Sequence, residues 1–394
     1  MEEQNRRGKN IKWFLGGVVA CGAVMALLYF LALLLPLGSA PSEPDSLQAL
    51  KKIHEIEKLV EDYYLGDVDE QQMTDYMFLG LVAGLGDRYS TYYTEEEYEQ
   101  IQRSQNGEYE GIGITLAQRT EDGKLQVVEC TEDSPADRAG VQAGDLIESI
   151  NGTDTEGMTS SQAVELISQS ESDEITMSLY REETEETLEV SIVKETVEMQ
   201  SVNSRMLENQ VGYIQITEFT GVTASQFQTA YEELTAQGMQ KLVIDLRGNP
   251  GGLVDSVCDT LSQILPEGVI VYTEDKNGNR SERDCAGESP IDIPLAVLVN
   301  EESASASEIF AGAVKDYGIG TIVGTTTYGK GVVQNTFRLS DGSVIRLTIA
   351  HYYTPEGNDI NGVGITPDVE VEQSEDSETD VQLEKALEVL AAQE

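Results

Sequence analysis

Three serines lie where an apolar run changes into a helical pattern, a position that suits a nucleophile. Ser303, Ser305 and Ser307 follow the apolar run 296–299, and apolar residues then recur at helical spacing. The first N–H groups of a helix lack intrahelical acceptors and point outward. A serine at this point could attack a carbonyl carbon while a neighbouring N–H stabilises the oxyanion. The same residues would also serve as a serine-rich helix N-cap without chemistry.

A nucleophilic serine needs a base, and the sequence offers two kinds. The chain has two histidines, His54 and His351; His54 lies far upstream in an amphipathic segment, so a Ser-His-Asp triad would use His351. The other candidate is Lys330, which lies between two glycines and is followed by two valines. A lysine enclosed by apolar groups loses its proton more readily and can then act as a base. A surface lysine in a hairpin turn is the plainer interpretation.

A second strand-to-helix junction could bind negative charge. The strand-like run 241–247 is followed by Gly248-Asn249-Pro250-Gly251-Gly252 and by a helical segment over 253–265. Backbone N–H groups at such a junction form an anion site, but the lysine that a nucleotide-binding P-loop requires is missing. Asp245 and Arg247, just before the loop, could form an ion pair that holds it in place.

Composition excludes several classes of function. The formal net charge is −46, from 71 acidic and 25 basic residues, which argues against nucleic-acid binding because phosphate contacts need clustered Lys and Arg. The sequence has no HExxH motif, and its four cysteines lack the spacing of metal ligands. We therefore predict neither a metal nor a cofactor, and Cys130 and Cys285 could be free or paired.

The elements that must position these residues fall into several regions. Amphipathic helices are predicted from residue 47 to 60 and from 73 to 85, with a polar helix over 91–105. Residues 107–194 change to strand-like runs separated by turns. From residue 211 onward, strands alternate with helices, which predicts an α/β core, and a terminal helix carries Leu383, Leu387 and Leu390.

Several segments in this order resemble the carboxy-terminal processing peptidases, or tail-specific proteases. They are Ser303-Ala304-Ser305-Ala306-Ser307-Glu308, Tyr328-Gly329-Lys330-Gly331, Gln334 and the glycine loop after Arg247. The lysine lies 25 residues after the middle serine (330 − 305) and the glutamine 4 residues further on (334 − 330), as in that family. The resemblance implies that Ser305 is the nucleophile, Lys330 its base and Gln334 the residue that orients the amine. It also implies that the N–H groups of Gly251 and Ala306 form the oxyanion hole.

The region 107–194 resembles a PDZ domain, through the segments 134–141 and 144–152. That fold binds an extended peptide C-terminus as an added strand at an open sheet edge. The resemblance implies that the loop Gly111-Ile112-Gly113-Ile114 binds the terminal carboxylate, because its glycines let consecutive N–H groups converge on it. A β-module with a structural glycine turn is the alternative. For the core, the family implies a ClpP/crotonase-like fold.

The N-terminus predicts a membrane anchor. Four basic residues between positions 6 and 12 precede an uncharged run from Trp13 to Ser42, and its dense part, 13–37, is long enough to span a bilayer. Basic residues before the span place the N-terminus in the cytoplasm and the rest of the chain outside. Gly38-Ser39-Ala40 offers a site for a signal peptidase, so a cleaved signal is the alternative.

Together these observations predict a single-pass, membrane-anchored serine endopeptidase that acts outside the cytoplasm of a bacterial-type cell. The expected regions are 1–44 (cytoplasmic stub, anchor and linker), 45–106 (helices), 107–194 (PDZ), 195–375 (protease core) and 376–394 (C-terminal helix). The expected partners are proteins or peptides with free C-termini, recognised by the PDZ domain, which would also gate activity. Pairing of two copies through the N-terminal helices is a further hypothesis. A catalytically idle PDZ scaffold at the membrane is the alternative function.

Overall fold

The structure of the protein, a computed structural model, describes residues 43–131, 133–170, 172–373, 377 and 379–393. The chain divides into two compact units, 1–74 and 75–394. Two helices, α1 (Glu43–Tyr63) and α2 (Glu70–Ala83), begin in the described part of the first unit. The predicted anchor at 13–37 lies outside the described residues. Among the helices that are described, none combines the length and the apolar character that a membrane span needs.

The remaining elements follow in chain order. The helices are α3 (Glu95–Asn106), α4 (Pro135–Arg138), α5 (Ser160–Ser168), α6 (Thr223–Ala236), α7 (Val254–Leu261), α8 (Ala306–Tyr317) and α9 (Val381–Ala391). The strands before the core are β1 (Thr91–Tyr93), β2 (Glu108–Gly111), β3 (Ile114–Gln118), β4 (Leu125–Cys130), β5 (Leu146–Ile150), β6 (Thr153–Asp154), β7 (Glu174–Arg181), β8 (Glu186–Val193) and β9 (Glu195–Glu198). Those of the core are β10 (Val202–Met206), β11 (Val211–Ile216), β12 (Lys241–Asp245), β13 (Gly268–Asp275), β14 (Arg280–Cys285), β15 (Leu295–Val299), β16 (Thr321–Gly324), β17 (Val332–Arg338), β18 (Val344–Tyr353) and β19 (Val369–Glu370).

The core sheet has the order β10-β11-β12-β15-β16-β19, with parallel pairing from β11 to β19. All five residues of β15, LAVLV, are buried, as expected of a parallel strand covered on both faces. Helices α6, α7 and α8 contribute to one hydrophobic cluster and α9 to a second. The carboxyl ends of β12 and β15 therefore lead into the glycine loop and the serine turn side by side, which is where α/β sheets place their sites.

A second sheet of the core places the lysine opposite the serine turn. Its order is β1-β18-β13-β14, and β17 pairs with β18 in a long hairpin. Lys330 lies two residues before β17 begins, so the hairpin fixes its backbone. The sheet is antiparallel throughout its described pairs.

One prediction in this region was wrong. We expected a helix over residues 91–105, but Thr91–Tyr93 form strand β1, which pairs antiparallel with β18 in the register Thr91 to Arg346. The helix begins at Glu95, because Thr94 caps it: its side chain accepts the Glu97 N–H while the Glu97 carboxylate accepts the Thr94 N–H. The paired strand brings the preceding segment 87–90 to the site.

The region between the two strands β2 and β9 forms a separate sheet with the order β3-β4-β5-β7-β8. It has its own hydrophobic cluster, which includes Leu125, Val127, Ile150 and Met177. Strands β2 and β9 pair with each other at the point where the chain enters and leaves this region. The described sheet thus forms an insertion whose two connections to the core lie together.

Candidate active site

Ser305 occupies a strained turn between β15 and α8. Its φ of 55° and ψ of −110° lie outside the regions that residues with a Cβ favour, at a cost on the order of 1–3 kcal/mol. The two neighbouring serines are buried and hold the turn: Ser303 Oγ donates to the Leu246 carbonyl (2.8 Å) and Ser307 Oγ to the Asn249 carbonyl (3.0 Å). Ser305 instead lines a cavity. A strained turn that presents one serine is typical of a nucleophile.

A fully buried carboxylate connects the serine turn to the lysine loop. Glu308 Oε2 accepts the backbone N–H of Ser305 (2.8 Å) and that of Lys330 (2.8 Å). Its Oε1 accepts the Gly329 N–H (2.7 Å) and the Thr327 hydroxyl (2.6 Å). Four donors satisfy a charge that could not otherwise be buried. The relative position of Ser305 and Lys330 therefore depends on this side chain.

The buried Tyr352 makes a second connection between the same two backbones. Its hydroxyl donates to the Ser305 carbonyl oxygen (3.0 Å) and also contacts the Lys330 carbonyl oxygen. Burial raises the pKa of the Tyr352 hydroxyl well above its ordinary value, so it remains a donor. Ser305 and Lys330 are thus each held through both their N–H and their C=O groups.

The Lys330 amine is partly buried and lies near two other positive charges. Its Nζ lies 4.8 Å from the centroid of the Tyr89 ring. Burial lowers the pKa of Lys330 below the ordinary lysine value, and the positive charges of Arg346 and Arg88 lower it further, against a smaller opposite effect of Glu308. The ring face favours the charged amine, whereas burial and the two arginines favour the neutral one, which is the form that accepts a proton.

Ser305, Lys330 and Gln334 line one cavity of about 650 Å³. The part of the chain that the structure describes contains no hydrogen bond between Ser305 Oγ and Lys330 Nζ, and none between Gln334 and that amine. The Gln334 amide instead donates to the Val332 carbonyl (3.3 Å) and to Thr348 Oγ1 (3.4 Å). The three predicted residues share one cavity, but their side chains are not joined in this arrangement.

The glycine loop packs directly against the serine turn. A Cβ built on Gly251 would lie 2.7 Å from the Ala304 carbonyl oxygen and 2.8 Å from Ser305 Cβ. The Gly251 N–H donates to Asn249 Oδ1 (2.8 Å). Ala306, at the start of α8, has an N–H without an acceptor among the described residues, as does Gly252, which lines the cavity. The loop and the helix start therefore converge on Ser305, although one predicted donor, Gly251, is engaged elsewhere.

His351, the other candidate base, lies on the second sheet rather than in the cavity. It is exposed on β18, opposite Val332 of β17 and Glu274 of β13. It is not among the residues that line the cavity with Ser305. This placement favours lysine over histidine.

Known proteins resemble the chain over most of its length. The model of peptidase family S41 matches residues 210–371, and that of the PDZ domain matches residues 126–181. A carboxy-terminal-processing protease of Bartonella bacilliformis is 35% identical over 338 residues, which cover 84% of this chain and 77% of the relative. The chain belongs to peptidase family S41. The carboxy-terminal processing protease CtpA of Bacillus subtilis is 33% identical over 335 residues, 85% of this chain and 71% of that protein.

This S41 member is a carboxy-terminal-processing serine protease with a PDZ domain. The family membership favours this activity over the alternative of a catalytically idle PDZ scaffold. A solved structure of a Bacteroides fragilis protein assigned to the S41 proteases matches with a TM-score of 0.53 and 18% identity, over 84% of this chain and 93% of that chain. This likeness shows a shared fold.

The predicted carboxylate loop of the PDZ domain begins at the end of β2. Gly111 pairs with Glu195 of β9, Ile112 is buried, and Gly113 has a φ of +82°. Ile114 begins β3, which is paired with β4 alone among the described strands, so its other edge is open. An open edge next to a glycine turn is what strand addition of a peptide requires.

Sequence reasoning missed the residues that hold the site together. Glu308 stands three residues after Ser305, the spacing of a capping box, and this signal could have identified it. Tyr352 and Tyr89 carry no local signal, because each reaches the site through a contact with a distant part of the chain. Asp245 and Arg247 do form the ion pair considered for them (2.6 Å).

Proposed function

We propose that this protease cleaves its substrates with Ser305 as nucleophile and Lys330 as general base. The observation that carries the proposal is that both residues line one cavity while their backbone N–H groups share a single oxygen of Glu308. The neutral amine of Lys330 takes the proton of Ser305 Oγ as that oxygen bonds to the peptide carbonyl carbon. The amine then returns the proton to the leaving nitrogen, and water hydrolyses the acyl-enzyme.

The oxyanion of the tetrahedral intermediate would lie at the start of α8. The Ala306 N–H is available there, and the Gly251 N–H becomes available once it exchanges Asn249 Oδ1 for the substrate oxygen. Gln334 would join the site by turning from Val332 to the amine, which it would orient without adding charge. Both changes imply that the described arrangement is a resting one.

Single substitutions test the roles. We expect Ser305→Ala and Lys330→Ala each to lower kcat/KM for an unfolded protein substrate by about 10⁴-fold or more. We expect His351→Gln to retain activity, since that side chain lies outside the cavity. Cleavage that survives in Ser305→Ala or Lys330→Ala, measured by product chromatography of freshly purified protein, would refute the assignment.

We further propose that the PDZ domain recognises substrate C-termini and gates the site. The support is that the PDZ domain joins the core close to the catalytic cavity. Strands β2 and β9 pair where the insertion joins the core. Just before β2, the carbonyl of Gln105, a residue that lines the cavity, accepts the Gly221 N–H (2.8 Å). A peptide with a free C-terminal carboxylate should accelerate cleavage of a second, short substrate, and its C-terminal amide should not. Equal effects of the acid and the amide would contradict this gating.

We also propose that the chain is held in the cell membrane by residues 13–37, with its catalytic part outside the cytoplasm. The support is the sequence: a long uncharged run after four basic residues. In intact cells, a membrane-impermeant thiol reagent should label a cysteine introduced at the exposed Lys276. Labelling only after lysis would contradict this orientation, and recovery of the chain in the soluble fraction would indicate a cleaved signal.

The N-terminal helices support a homodimer as a further proposal. Apolar side chains of α1 are largely exposed, with Leu47 at 61%, Leu50 at 62% and Leu59 at 52%. Faces of this kind are covered by partners in most soluble proteins, and a second copy presents the same face. Light scattering of the full chain in detergent should give the mass of two copies, and Leu50→Glu together with Leu59→Glu should give one. A wild-type monomer would contradict the proposal.

A further inference from the structure

Glu218 lines the cavity that holds Ser305 and Lys330. Neither the resemblance to the family nor the proposed mechanism assigns this carboxylate a role. It lies two residues after β11 and lines the cavity with Ser305 and Gly252. The next residue, Phe219, forms an isolated parallel bridge with Gly252, and its N–H donates to the Gly251 carbonyl (2.8 Å). Glu218 is therefore fixed beside the glycine loop that packs on the nucleophile.

The other charged side chains that line the cavity are already engaged. Asp255 and Arg283 form an ion pair (2.5 Å). The Arg346 guanidinium donates to the Tyr89 carbonyl (3.3 Å), and Lys330 is the proposed base. Glu218 differs from all of them, because its side chain has no hydrogen-bond or ion-pair partner among the described residues.

Burial of Glu218 carries an electrostatic cost that nothing in the described structure offsets. The side chain is partly buried, and burial raises the pKa of the Glu218 carboxyl with no partner to oppose the effect. A partly buried carboxylate that has no ion-pair partner is stabilised most by a cation that a ligand brings. Among side chains of a peptide substrate, only lysine and arginine supply that charge at neutral pH.

We propose that Glu218 is a specificity-determining residue that receives a lysine or arginine side chain of the substrate close to the scissile bond. An acidic residue at the same substrate position is disfavoured, because it would place a second negative charge beside the unpaired one. The inference rests on the proposed Ser305–Lys330 site and adds to it the chemical class of a residue that the site selects.

The test uses the full-length protein in detergent and a series of peptides with one common apolar C-terminal sequence. Around one mapped cleavage site, each position in turn carries Lys, Gln or Glu, and kcat/KM is measured for every peptide. We expect one position at which Lys is preferred over Glu by about tenfold to a hundredfold. Glu218→Gln should reduce that preference at least tenfold, and Glu218→Lys should reverse it. Glu233→Gln, an exposed carboxylate of α6, should leave it unchanged.

The outcomes separate this inference from the proposed mechanism. Equal cleavage of the Lys, Gln and Glu peptides at every position would overturn it, and so would a lysine preference that Glu218→Gln leaves intact. In both cases Ser305→Ala should still be inactive, so the mechanism would stand. Cleavage by Ser305→Ala would instead remove the mechanism on which the inference rests. Because Gln replaces Glu with almost no change of shape, Glu218→Gln carries the test if Glu218→Lys does not fold.

Discussion

Ser305 and Lys330 donate their backbone N–H groups to the same carboxylate oxygen, Oε2 of Glu308, each at 2.8 Å. The two residues are 25 positions apart in the sequence, and this shared acceptor fixes the turn that presents the hydroxyl relative to the loop that presents the amine. Because the carboxylate is fully buried, its interactions are not weakened by water. Placement of Ser305 and Lys330 thus depends on a third residue that does not itself line the cavity.

Glu308→Gln is therefore expected to lower both activity and stability. An amide has one acceptor oxygen, and its NH₂ group would face two of the present donors, which leaves buried N–H groups unpaired. We expect a loss of about 2–4 kcal/mol in the free energy of unfolding and a fall in kcat of about a hundredfold or more. Chemical denaturation and steady-state kinetics measure the two effects.

Glu302→Gln, an exposed carboxylate near the same turn, is the matched control and should change neither quantity. A Glu308→Gln protein with wild-type kcat would show that the shared oxygen does not position the site. If stability fell but kcat for the folded fraction did not, Glu308 would be a structural residue only.

The pH dependence of cleavage should report the neutral amine of Lys330. Since the lysine accepts a proton only when uncharged, kcat/KM should rise with pH and level off above the pKa of the amine. Burial and the charges of Arg346 and Arg88 lower this pKa, so the rise should be centred below the ordinary lysine value of about 10.4.

Removing one of these charges should move the profile in a defined direction. Arg346→Gln takes away a positive charge, which raises the pKa of Lys330 and moves the rising limb of the profile to higher pH. If the limb moves up by about one pH unit, kcat/KM at a fixed pH on the limb falls about tenfold. Arg346→Lys keeps the charge and should leave the limb in place. Equal displacement of the limb in both variants would mean that the guanidinium acts through its hydrogen bond to the Tyr89 carbonyl rather than through charge.

The sequence predicted those parts of the site that are marked by local patterns. The buried strand before Ser305 and the glycine loop around Gly251 follow from residue types over short windows, and the PDZ-like insertion follows from its resemblance to a known family. The connection through Glu308 joins Ser305 to Lys330, 25 positions further on, and no periodicity encodes it. Tyr89 reaches Lys330 because β1 pairs with β18, a contact between residues more than 250 positions apart. The side-chain direction of Gln334, set by its contact with Thr348 on the neighbouring strand, likewise depends on tertiary packing.

The ion pairs of Arg247 should make the free energy of unfolding fall as the pH is lowered into the acid range. Arg247 donates to Asp245 (2.6 Å) and to both carboxylate oxygens of Asp380 (2.8 Å each), the residue that caps α9. The Arg247 guanidinium holds the pKa of the Asp380 carboxyl below its usual value. A lowered folded-state pKa contributes stability that is present above the unfolded pKa of about 3.9 and is lost as pH falls through the folded value.

Asp380→Asn tests this charge effect because asparagine also caps helices well. With the carboxylate partly exposed, we expect a cost of about 1 kcal/mol at pH 7 that shrinks as pH falls below the unfolded pKa of about 3.9 and is gone below the folded-state pKa. The same substitution in an Arg247→Met background should cost less, and the difference is the coupling energy. Urea unfolding at several pH values measures it. A cost that does not shrink as the carboxyl is protonated in acid would assign the effect to the cap rather than to the ion pair.

The two glycines that flank β3 offer a matched test of the PDZ loop. Gly113 and Gly123 both have a positive φ, +82° and +71°, so alanine strains the backbone similarly at either position, by about 1 kcal/mol. They differ in their surroundings. A Cβ at Gly113 would lie 2.2 Å from Ser134 Cβ, whereas a Cβ at Gly123 meets nothing within 4 Å. Ser134 also caps α4.

Gly113→Ala should therefore displace the predicted carboxylate loop, and Gly123→Ala should not. In a Ser305→Ala background, which should prevent cleavage, we expect Gly113→Ala to weaken binding of a fluorescent peptide with a free C-terminus by at least about tenfold. Gly123→Ala should bind it like the parent, and the C-terminal amide of the peptide should bind weakly to all three proteins. If Gly113→Ala is folded and binds the free acid as tightly as Gly123→Ala does, the carboxylate is held elsewhere and the loop 111–114 is a structural turn.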